Sequence, residues 1–152
     1  MKSAQIQKSL PNGFVKLKSI HVPKYSAKLA EFIGIMQGDG HLGEYQVLMA
    51  TNSETDVDHA RFVGRLGKKL FGVTPAIRPR KHEKTIQVVF SSKRMVRVIN
   101  QFGMPIGNKI DHGLAIPNWV LCSLVYKRAF IRGLFDTDGC IFLDRHPRLY
   151  LY

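Results

Sequence analysis

The chain has 152 residues, which is enough for one domain with a good core, or for one domain and the beginning of a second. Hydrophobic residues make up 45% of it, which excludes a disordered tail, and 23 Lys and Arg against 11 Asp and Glu give a formal net charge of +12. Nucleic acid is therefore the leading candidate partner, although charge alone also fits a ribosomal or merely basic protein.

The two cysteines, Cys122 and Cys140, have no second cysteine or histidine at zinc-binding spacing. We predict neither a zinc site nor a disulfide framework, and a reduced compartment fits best. No stretch reaches the length of a membrane span, and the N-terminus lacks the apolar segment of a signal peptide. We expect no membrane contact, and a location in the cytoplasm, or in the nucleus or an organelle of a eukaryote.

Hydrophobic periodicity and Gly or Pro stops divide the chain into predicted elements. In chain order they are an arm at 1–22, a helix at 26–38 stopped by Gly40, a β-type run at 45–51, a helix from a capping box at 53–56 to Gly72, a β-hairpin at 76–90 with one buried face, a helix at 92–102, a linker at 107–119 and a helix at about 121–137. The order up to residue 102 indicates an α+β fold of αββαββα type.

Two segments 99 positions apart resemble each other without a gap, and both place small residues at four-residue spacing. Such a stripe lets two helix backbones approach closely, because no bulky side chain holds the axes apart. We therefore expect the two helices to pack against each other. The stripes are Ala30, Gly34 and Gly38 in the first copy and Ala129, Gly133 and Thr137 in the second.

Each of these helices ends in an aspartate directly before a glycine, at Asp39 and Asp138. The negative end of the helix dipole disfavours a carboxylate there by a few tenths to about 1 kcal/mol, so this placement needs compensation. If the helices pack side by side, the carboxylates converge, and Mg²⁺ would relieve their repulsion and activate water against a phosphodiester. For either copy alone a simple Asp-Gly turn is the better interpretation, but the repetition favours the metal site.

The two segments read FIGIMQGDG at 32–40 and IRGLFDTDG at 131–139, and His41 and Leu42 follow the first. They resemble the paired LAGLIDADG motifs of homing endonucleases, in particular the archaeal and intein-associated branch. The resemblance covers residues 26–142. It implies motif helices at a domain interface, a twisted antiparallel four-stranded sheet in the DNA major groove, and staggered cleavage of double-stranded DNA.

The resemblance also implies site residues. The last aspartates, Asp39 and Asp138, would bind Mg²⁺ or Mn²⁺ and act in catalysis, with Gly38 and Thr137 beside them at the metal. Asn52 matches the place of a polar residue late in the second strand, although it fits a turn before the second helix equally well. Gln37 stands where the second copy has Asp136, a variation that we expect to matter little.

Basic and polar residues of the predicted hairpin would meet phosphates and base edges if the family's docking holds. A charged hairpin tip is otherwise usually just solvated. The expected DNA-binding residues are Arg78, Arg80, Lys81, Lys84 and Gln87.

Residues 140–152 depart from the family pattern, because they can supply at most one strand and the start of another where a whole second sheet is expected. The predicted division is therefore a first domain at 23–106, the linker, and a truncated second domain at 120–152. Three explanations are open: a split enzyme completed by a C-terminal fragment, a homodimer across copies of the first motif, or a relative that binds without cutting. A DNA-binding regulator and a maturase-like RNA-binding splicing cofactor are the rivals to a metal-dependent endonuclease.

Overall fold

The computed structural model describes residues 19–138, 141–143 and 149–151. The predicted αββαββα order is confirmed, and further helices and a hairpin follow it. The first seven elements are α1 (Ala27–Gly38), β1 (Gly40–Leu42), β2 (Gln46–Asn52), α2 (Val57–Phe71), β3 (Ala76–Pro79), β4 (Thr85–Ser91) and α3 (Lys93–Gln101). The remaining elements are α4 (Lys109–His112), α5 (Asn118–Leu121), α6 (Leu124–Asp138), β5 (Ile141–Leu143) and β6 (Leu149–Leu151).

Strands β1 to β4 form one antiparallel sheet in the order β1-β2-β4-β3. Along β4 the side chains of Ile86, Val88 and Phe90 are buried, and those between them are half-buried. Because successive side chains of a strand point to opposite faces, the sheet has one face packed on the helices and one open face. The alternation predicted for the hairpin is thus confirmed.

Helix α1 lies at the centre of the core. Ser26 begins the helix, since its hydroxyl accepts a hydrogen bond from the Leu29 N–H at 3.2 Å. Every residue from 29 to 37 is buried, because α1 contacts α2 and the sheet as well as α6. Phe32 meets the rings of Phe71 and Phe90, with centroids 5.4 and 6.3 Å apart.

Glycine and serine set the helix boundaries. Gly72 ends α2 as predicted, at a φ of 72° that glycine adopts without strain. Ser92 caps α3 by accepting from the Met95 N–H at 3.3 Å. Helix α1 ends at Gly38, the last residue of the predicted range 26–38. Gly40 instead begins β1, where a Cβ would overlap the backbone of Met36.

A different arrangement replaces the capping box predicted at residues 53–56. Asp56 is the N-cap of α2, but its carboxylate accepts the Thr51 hydroxyl at 2.8 Å rather than an α2 N–H. The turn before α2 is held by Asn52, whose Oδ1 accepts from the N–H groups of Glu54 and Thr55 at 2.8 and 3.3 Å. Asparagine competes for backbone donors in this way wherever a turn brings them near.

The predicted linker contains two single-turn helices, α4 and α5, and α6 begins three residues later than predicted. Trp119 attaches the end of this segment to the core. Its Nε1 donates to the Phe102 carbonyl at 3.0 Å, and its ring stacks on Tyr25 at 4.8 Å between centroids.

The C-terminal residues form more strand than expected, because β5 and β6 pair as an antiparallel hairpin. Each strand has three residues, too few for alternation to be read from sequence. Residues 1–18 of the arm predicted at 1–22 lie outside the described residues, as do Gly139 and Cys140. The division into domains stays a prediction. Over the part of the chain that the structure describes, no helix is long and apolar enough to cross a membrane.

Candidate functional site

The seam between α1 and α6 brings two backbones into direct contact, as the small-residue stripes predicted. A Cβ on Gly34 would overlap the Phe130 carbonyl oxygen and lie 3.0 Å from the Leu134 nitrogen. A Cβ on Gly133 would likewise overlap the Glu31 carbonyl oxygen. The small residues are therefore needed for close approach, and they fix which end of α1 meets which end of α6.

An ion pair crosses the same seam. Arg132 of α6 donates to both carboxylate oxygens of Glu31 in α1, from Nε at 2.9 Å and from Nη2 at 2.8 Å. Glu31 is buried, and its carboxylate raises the pKa of the Arg132 guanidinium. The pair fixes the register of the two helices, because both nitrogens of the guanidinium must face both oxygens of the carboxylate.

Because α1 and α6 pack along this seam, their C-terminal ends lie in the same region. Asp39 caps α1, with its N–H donating to the Ile35 carbonyl at 3.1 Å. Asp138 is the last residue of α6, and its side chain lies outside the described part. Gly38 and Thr137, the residues directly before the two aspartates, are both half-buried.

An open cavity of about 320 Å³ lies at this end of the seam. Its walls come from α1, β2, α2 and α6, and oxygen donors predominate among its lining residues. The lining residues are Asp39, Thr51, Asp56, His59, Asp136 and Thr137. Of the residues predicted for the metal, Asp39 and Thr137 are therefore brought to one cavity.

Four lining residues were missed in the sequence. Asp136 was visible as the counterpart of Gln37, and its exposed carboxylate reaches the cavity whereas the Gln37 amide is buried. The alternation of β2 was a usable signal for Thr51, because Thr51 and Asn52 point to opposite faces. No pattern in the sequence predicts that Asp56 and His59 line the cavity, because only the packing of α2 brings them to it.

Asp56 is held as a carboxylate on the cavity wall. Hydrogen bonds from the hydroxyls of Thr51 and Thr55 lower its pKa, and the nearby His59 acts in the same direction. The Nε2 atom of His59 is buried with no hydrogen-bond partner among the described residues. The cavity thus presents negative charge beside Asp39.

Asn52 lies apart from this cavity. Its side chain is exposed and occupied by the turn before α2, which was the alternative interpretation of this residue. In the cavity wall it is the preceding residue, Thr51, that contributes an oxygen.

Two of the expected DNA-binding residues share the open face of the sheet. Arg78 of β3 pairs directly with Gln87 of β4, and Gln87 pairs with Ala50 of β2, so the three side chains point the same way. Arg78 is exposed and Gln87 is half-buried. A cation and an amide therefore stand side by side on a surface that a groove of DNA could cover.

The other three expected DNA-binding residues lie at the hairpin turn. Arg80 pairs with Glu83 at 3.2 Å, and Lys84 pairs with Glu54 at 3.0 Å. These pairs are exposed and therefore weak, so a phosphate could displace the carboxylates. Lys81 is exposed beside them.

A family model described as the LAGLIDADG-like domain matches residues 125–151, which span α6 and the hairpin after it. Two crystal structures of I-DmoI, a homing endonuclease, have the same fold. Its complex with DNA and Ca covers 75% of this chain and 58% of its own, at 19% identity and a TM-score of 0.50. A variant bound to target DNA with Mn covers 75% and 61%, at 20% identity and a TM-score of 0.50. Residues 125–151 of this chain therefore match the LAGLIDADG-like domain, and the chain has the fold of a LAGLIDADG homing endonuclease.

Two archaeal proteins contain a segment similar to this chain. The tRNA-splicing ligase RtcB of Methanopyrus kandleri is 28% identical over 130 residues, which cover 74% of this chain and 13% of that protein. The replication factor C small subunit of Methanocaldococcus jannaschii is 30% identical over 121 residues, which cover 72% and 6%. The chain thus spans a small fraction of the length of these relatives.

The oxygen atoms that line the cavity at the C-terminal ends of α1 and α6 fit a hard divalent cation. Mg²⁺ in proteins keeps several waters and needs only one or two carboxylates besides the phosphates of its substrate. Asp39 and Asp136 line the cavity with carboxylates, although no cluster of three His, Cys, Asp or Glu forms within the described ranges. The donors available therefore suit an ion completed by water and phosphate.

Proposed function

We propose that this chain is a metal-dependent, site-specific DNA endonuclease or a part of one. The observation that carries the proposal is the α1–α6 seam, which brings Asp39 of one motif and Asp136 and Thr137 of the other to one cavity. Asp138 follows Thr137 directly and would complete the metal site with Asp39.

The sheet supplies the surface for the substrate. Arg78 and Gln87 on the open face would contact a phosphate and a base edge of double-stranded DNA. Arg80, Lys81 and Lys84 would add phosphate contacts from the hairpin turn. The net charge of +12 favours such a polyanion over a neutral partner.

Mg²⁺ or Mn²⁺, when bound, would supply Lewis-acid polarisation of the scissile phosphate and would lower the pKa of the attacking water, so that it gives up a proton more readily. The protein's own part is to hold the ion with Asp39 and Asp138 and to keep Asp56 ionised nearby. The I-DmoI complexes, which hold DNA together with Mn or Ca, support this assignment.

The two motifs act within one chain in this proposal. Helix α6 occupies the face of α1 that a homodimer across two first motifs would need. Similar segments in two proteins with unrelated names also suggest an element that is inserted into different hosts. We propose that this chain derives from such an intein-type element.

A randomised duplex DNA library tests the proposal. The native protein is incubated with the library in Mg²⁺ and in Ca²⁺, beside Asp39→Asn and the control Asp58→Asn, which removes an exposed carboxylate at the start of α2. We expect enriched cut ends in Mg²⁺ that persist in Asp58→Asn and vanish in Asp39→Asn.

The other outcomes separate the rivals. Retention of DNA without cutting in either metal would indicate a non-cleaving regulator. Preferential retention of structured RNA over duplex DNA would indicate the maturase-like cofactor. Retention of neither nucleic acid would contradict DNA binding altogether.

A further inference from the structure

A second basic surface lies on the side of the sheet opposite to Arg78 and Gln87. In β3, Ile77 directly precedes Arg78, and it pairs with the buried Val88, whereas Arg78 pairs with Gln87. Because successive side chains of a strand point to opposite faces, Ile77 faces the helices and Arg78 faces the open side. Ile77 is still 38% exposed, since β3 is an edge strand. A duplex on the open face would therefore leave the surface beside Ile77 uncovered.

An open groove of about 240 Å³ lies on this side, between α2 and β3. Its apolar lining residues, Gly64, Pro75 and Ile77, form a floor. Glycine keeps the floor accessible, because a Cβ at position 64 would lie 3.2 Å from Cδ1 of Ile77 and 3.3 Å from Cγ of Pro75. Such a floor can be covered by a flat ring such as a nucleobase.

Three cations of α2 line the same groove. Arg61, Arg65 and Lys68 are all exposed. Their spacing of four and three residues puts them on one face of the helix, about 6 and 4.5 Å apart along its axis. Asp58 is the single acidic residue of α2, and it pairs with Arg61 at 3.2 Å with its own side chain 97% exposed. A pair of this kind is weak, so a phosphate could replace the carboxylate.

The cationic face continues beyond the groove to α1. Lys69 lies next to Lys28 of α1, and this contact and the repulsion between the two ammonium groups lower the pKa of Lys28. Glu31 acts on Lys28 in the opposite direction, but its carboxylate is buried and paired with Arg132. Both lysines are exposed, so an anion placed between them would relieve their repulsion.

We propose that the groove between α2 and β3 binds a single-stranded nucleic acid, separately from the duplex on the open face. Phosphates would lie along Arg61, Arg65 and Lys68, and an unstacked base would cover the apolar floor. Proteins that bind single strands combine a basic groove along the backbone with surfaces on which bases lie, and arginine planes serve as such surfaces. This inference goes beyond the proposed endonuclease and needs no metal.

Two other polyanions fit the groove less well. The bases of a duplex are stacked inside it, so they cannot reach the floor beside Ile77. An acidic peptide would pair with the cations, but a row of cations repeated along a helix matches the regular charge of a nucleic-acid backbone better than the irregular charge of a protein surface. The charge and the apolar floor together therefore favour a single strand.

Fluorescence anisotropy with the full chain in EDTA, where no metal-dependent cutting occurs, tests the proposal. The labelled probes are oligo(dT) and oligo(U) of about ten nucleotides, an abasic chain of the same length, a random-sequence duplex and polyglutamate. The groove variant combines Arg65→Gln with Lys68→Gln. The control variant combines Arg94→Gln with Arg97→Gln, which removes the same charge from exposed positions on α3.

We expect the groove variant to bind the single-stranded oligonucleotides at least about tenfold more weakly, because two charged contacts to phosphate are lost. The slope of log affinity against log salt concentration should fall by about 1.4, since each phosphate contact of a single strand contributes about 0.7. The control should stay close to the native protein. Arg78→Ala should weaken duplex binding and leave oligonucleotide binding unchanged, and the abasic chain should bind more weakly than oligo(dT).

Preference for oligo(U) would identify RNA as the source of the strand, and preference for oligo(dT) would identify DNA. Thermal unfolding shows whether each variant is folded, and the single variant Lys68→Gln, with an expected fall of about 0.7 in the slope, serves if the groove variant is not.

Four results would overturn the inference. Equal losses in the groove variant and the control would assign the effect to net charge. An equal loss of duplex and single strand in the groove variant would assign the cations to the duplex. Tighter groove-dependent binding of polyglutamate than of either oligonucleotide would indicate an acidic protein partner, and equal affinity for the abasic chain and oligo(dT) would remove the base from the floor. A native protein that neither retains nor cuts duplex DNA would contradict the proposed function alone, because single-strand binding is measured separately.

Discussion

Two neighbouring residues at the end of β2 have roles that differ from those that the sequence suggested for them. The resemblance implied a polar residue near the metal at Asn52, yet the side-chain oxygen of Asn52 accepts hydrogen bonds from two backbone N–H groups. Thr51, one residue earlier, lines the cavity and hydrogen-bonds to Asp56. The direction of a side chain, set by strand alternation, decides which of two neighbours reaches the site.

The first prediction concerns the Thr51 hydroxyl. In Thr51→Val the pKa of Asp56 should rise, because the hydrogen bond that stabilises the carboxylate is lost. The lowered pKa contributes stability above the pKa of an unfolded aspartate, about 3.9, and this contribution is lost as the pH falls through the folded value. Carbon-detected NMR titration of Asp56 measures the shift, and Thr51→Ser should retain the native value.

The second prediction concerns the ion pair across the seam. Arg132→Met leaves the Glu31 carboxylate buried without its guanidinium, and we expect the free energy of unfolding to fall by about 1–3 kcal/mol. The value is below that of a fully buried pair because Arg132 is 60% exposed. Urea unfolding measures the change. Arg128→Met on the same helix serves as the control, and an equal loss there would contradict the role of the pair.

Secondary-structure elements followed the sequence wherever a pattern was long enough to repeat. The small-residue stripes predicted that α1 and α6 would pack, and Gly34 and Gly133 do so through backbone contact. The pairing of β5 with β6 could not be predicted, because a strand of three residues is too short to show an alternating pattern. The cavity was only half predictable, since Asp56 and His59 arrive through tertiary packing that leaves no local signal.

The third prediction tests the closeness of the seam. In Gly133→Ala the new methyl group meets the Glu31 carbonyl, so α6 must move away from α1, and we expect a loss of about 1–3 kcal/mol in the free energy of unfolding. The control is Gly43→Ala, where a Cβ finds its nearest neighbour at an ordinary 3.5 Å. A Gly133→Ala variant as stable as the native protein would rule out the contact.

At the scale of the whole molecule, two surfaces converge on the proposed substrate. The open face of the sheet offers Arg78 and Gln87, and the motif ends offer carboxylates at a cavity between the helices. Charge alone predicted a polyanionic partner without saying which surface it would cover. The alternating burial along β4 favours the open face of the sheet for that partner, because the other face packs in the core.

The fourth prediction separates phosphate contacts from base contacts on that face. Arg78→Ala should weaken duplex binding and reduce the slope of log affinity against log salt concentration by about 1, as expected for one lost phosphate contact. Gln87→Ala should leave the slope unchanged and relax discrimination at one base pair by about 1–3 kcal/mol. Fluorescence anisotropy at several salt concentrations measures both effects. Identical slopes in Arg78→Ala and the native protein would remove Arg78 from the interface.

The seam also has a consequence for the order of synthesis. Helix α1 emerges from the ribosome early, but its partner α6 follows only after about a hundred further residues, so the contact closes a long loop. Until then, the surface of α1 at Gly34 is uncovered, and another helix with a small-residue stripe could pack there. A second chain translated nearby carries such a helix, so high expression should favour exchanged α6 helices between two copies.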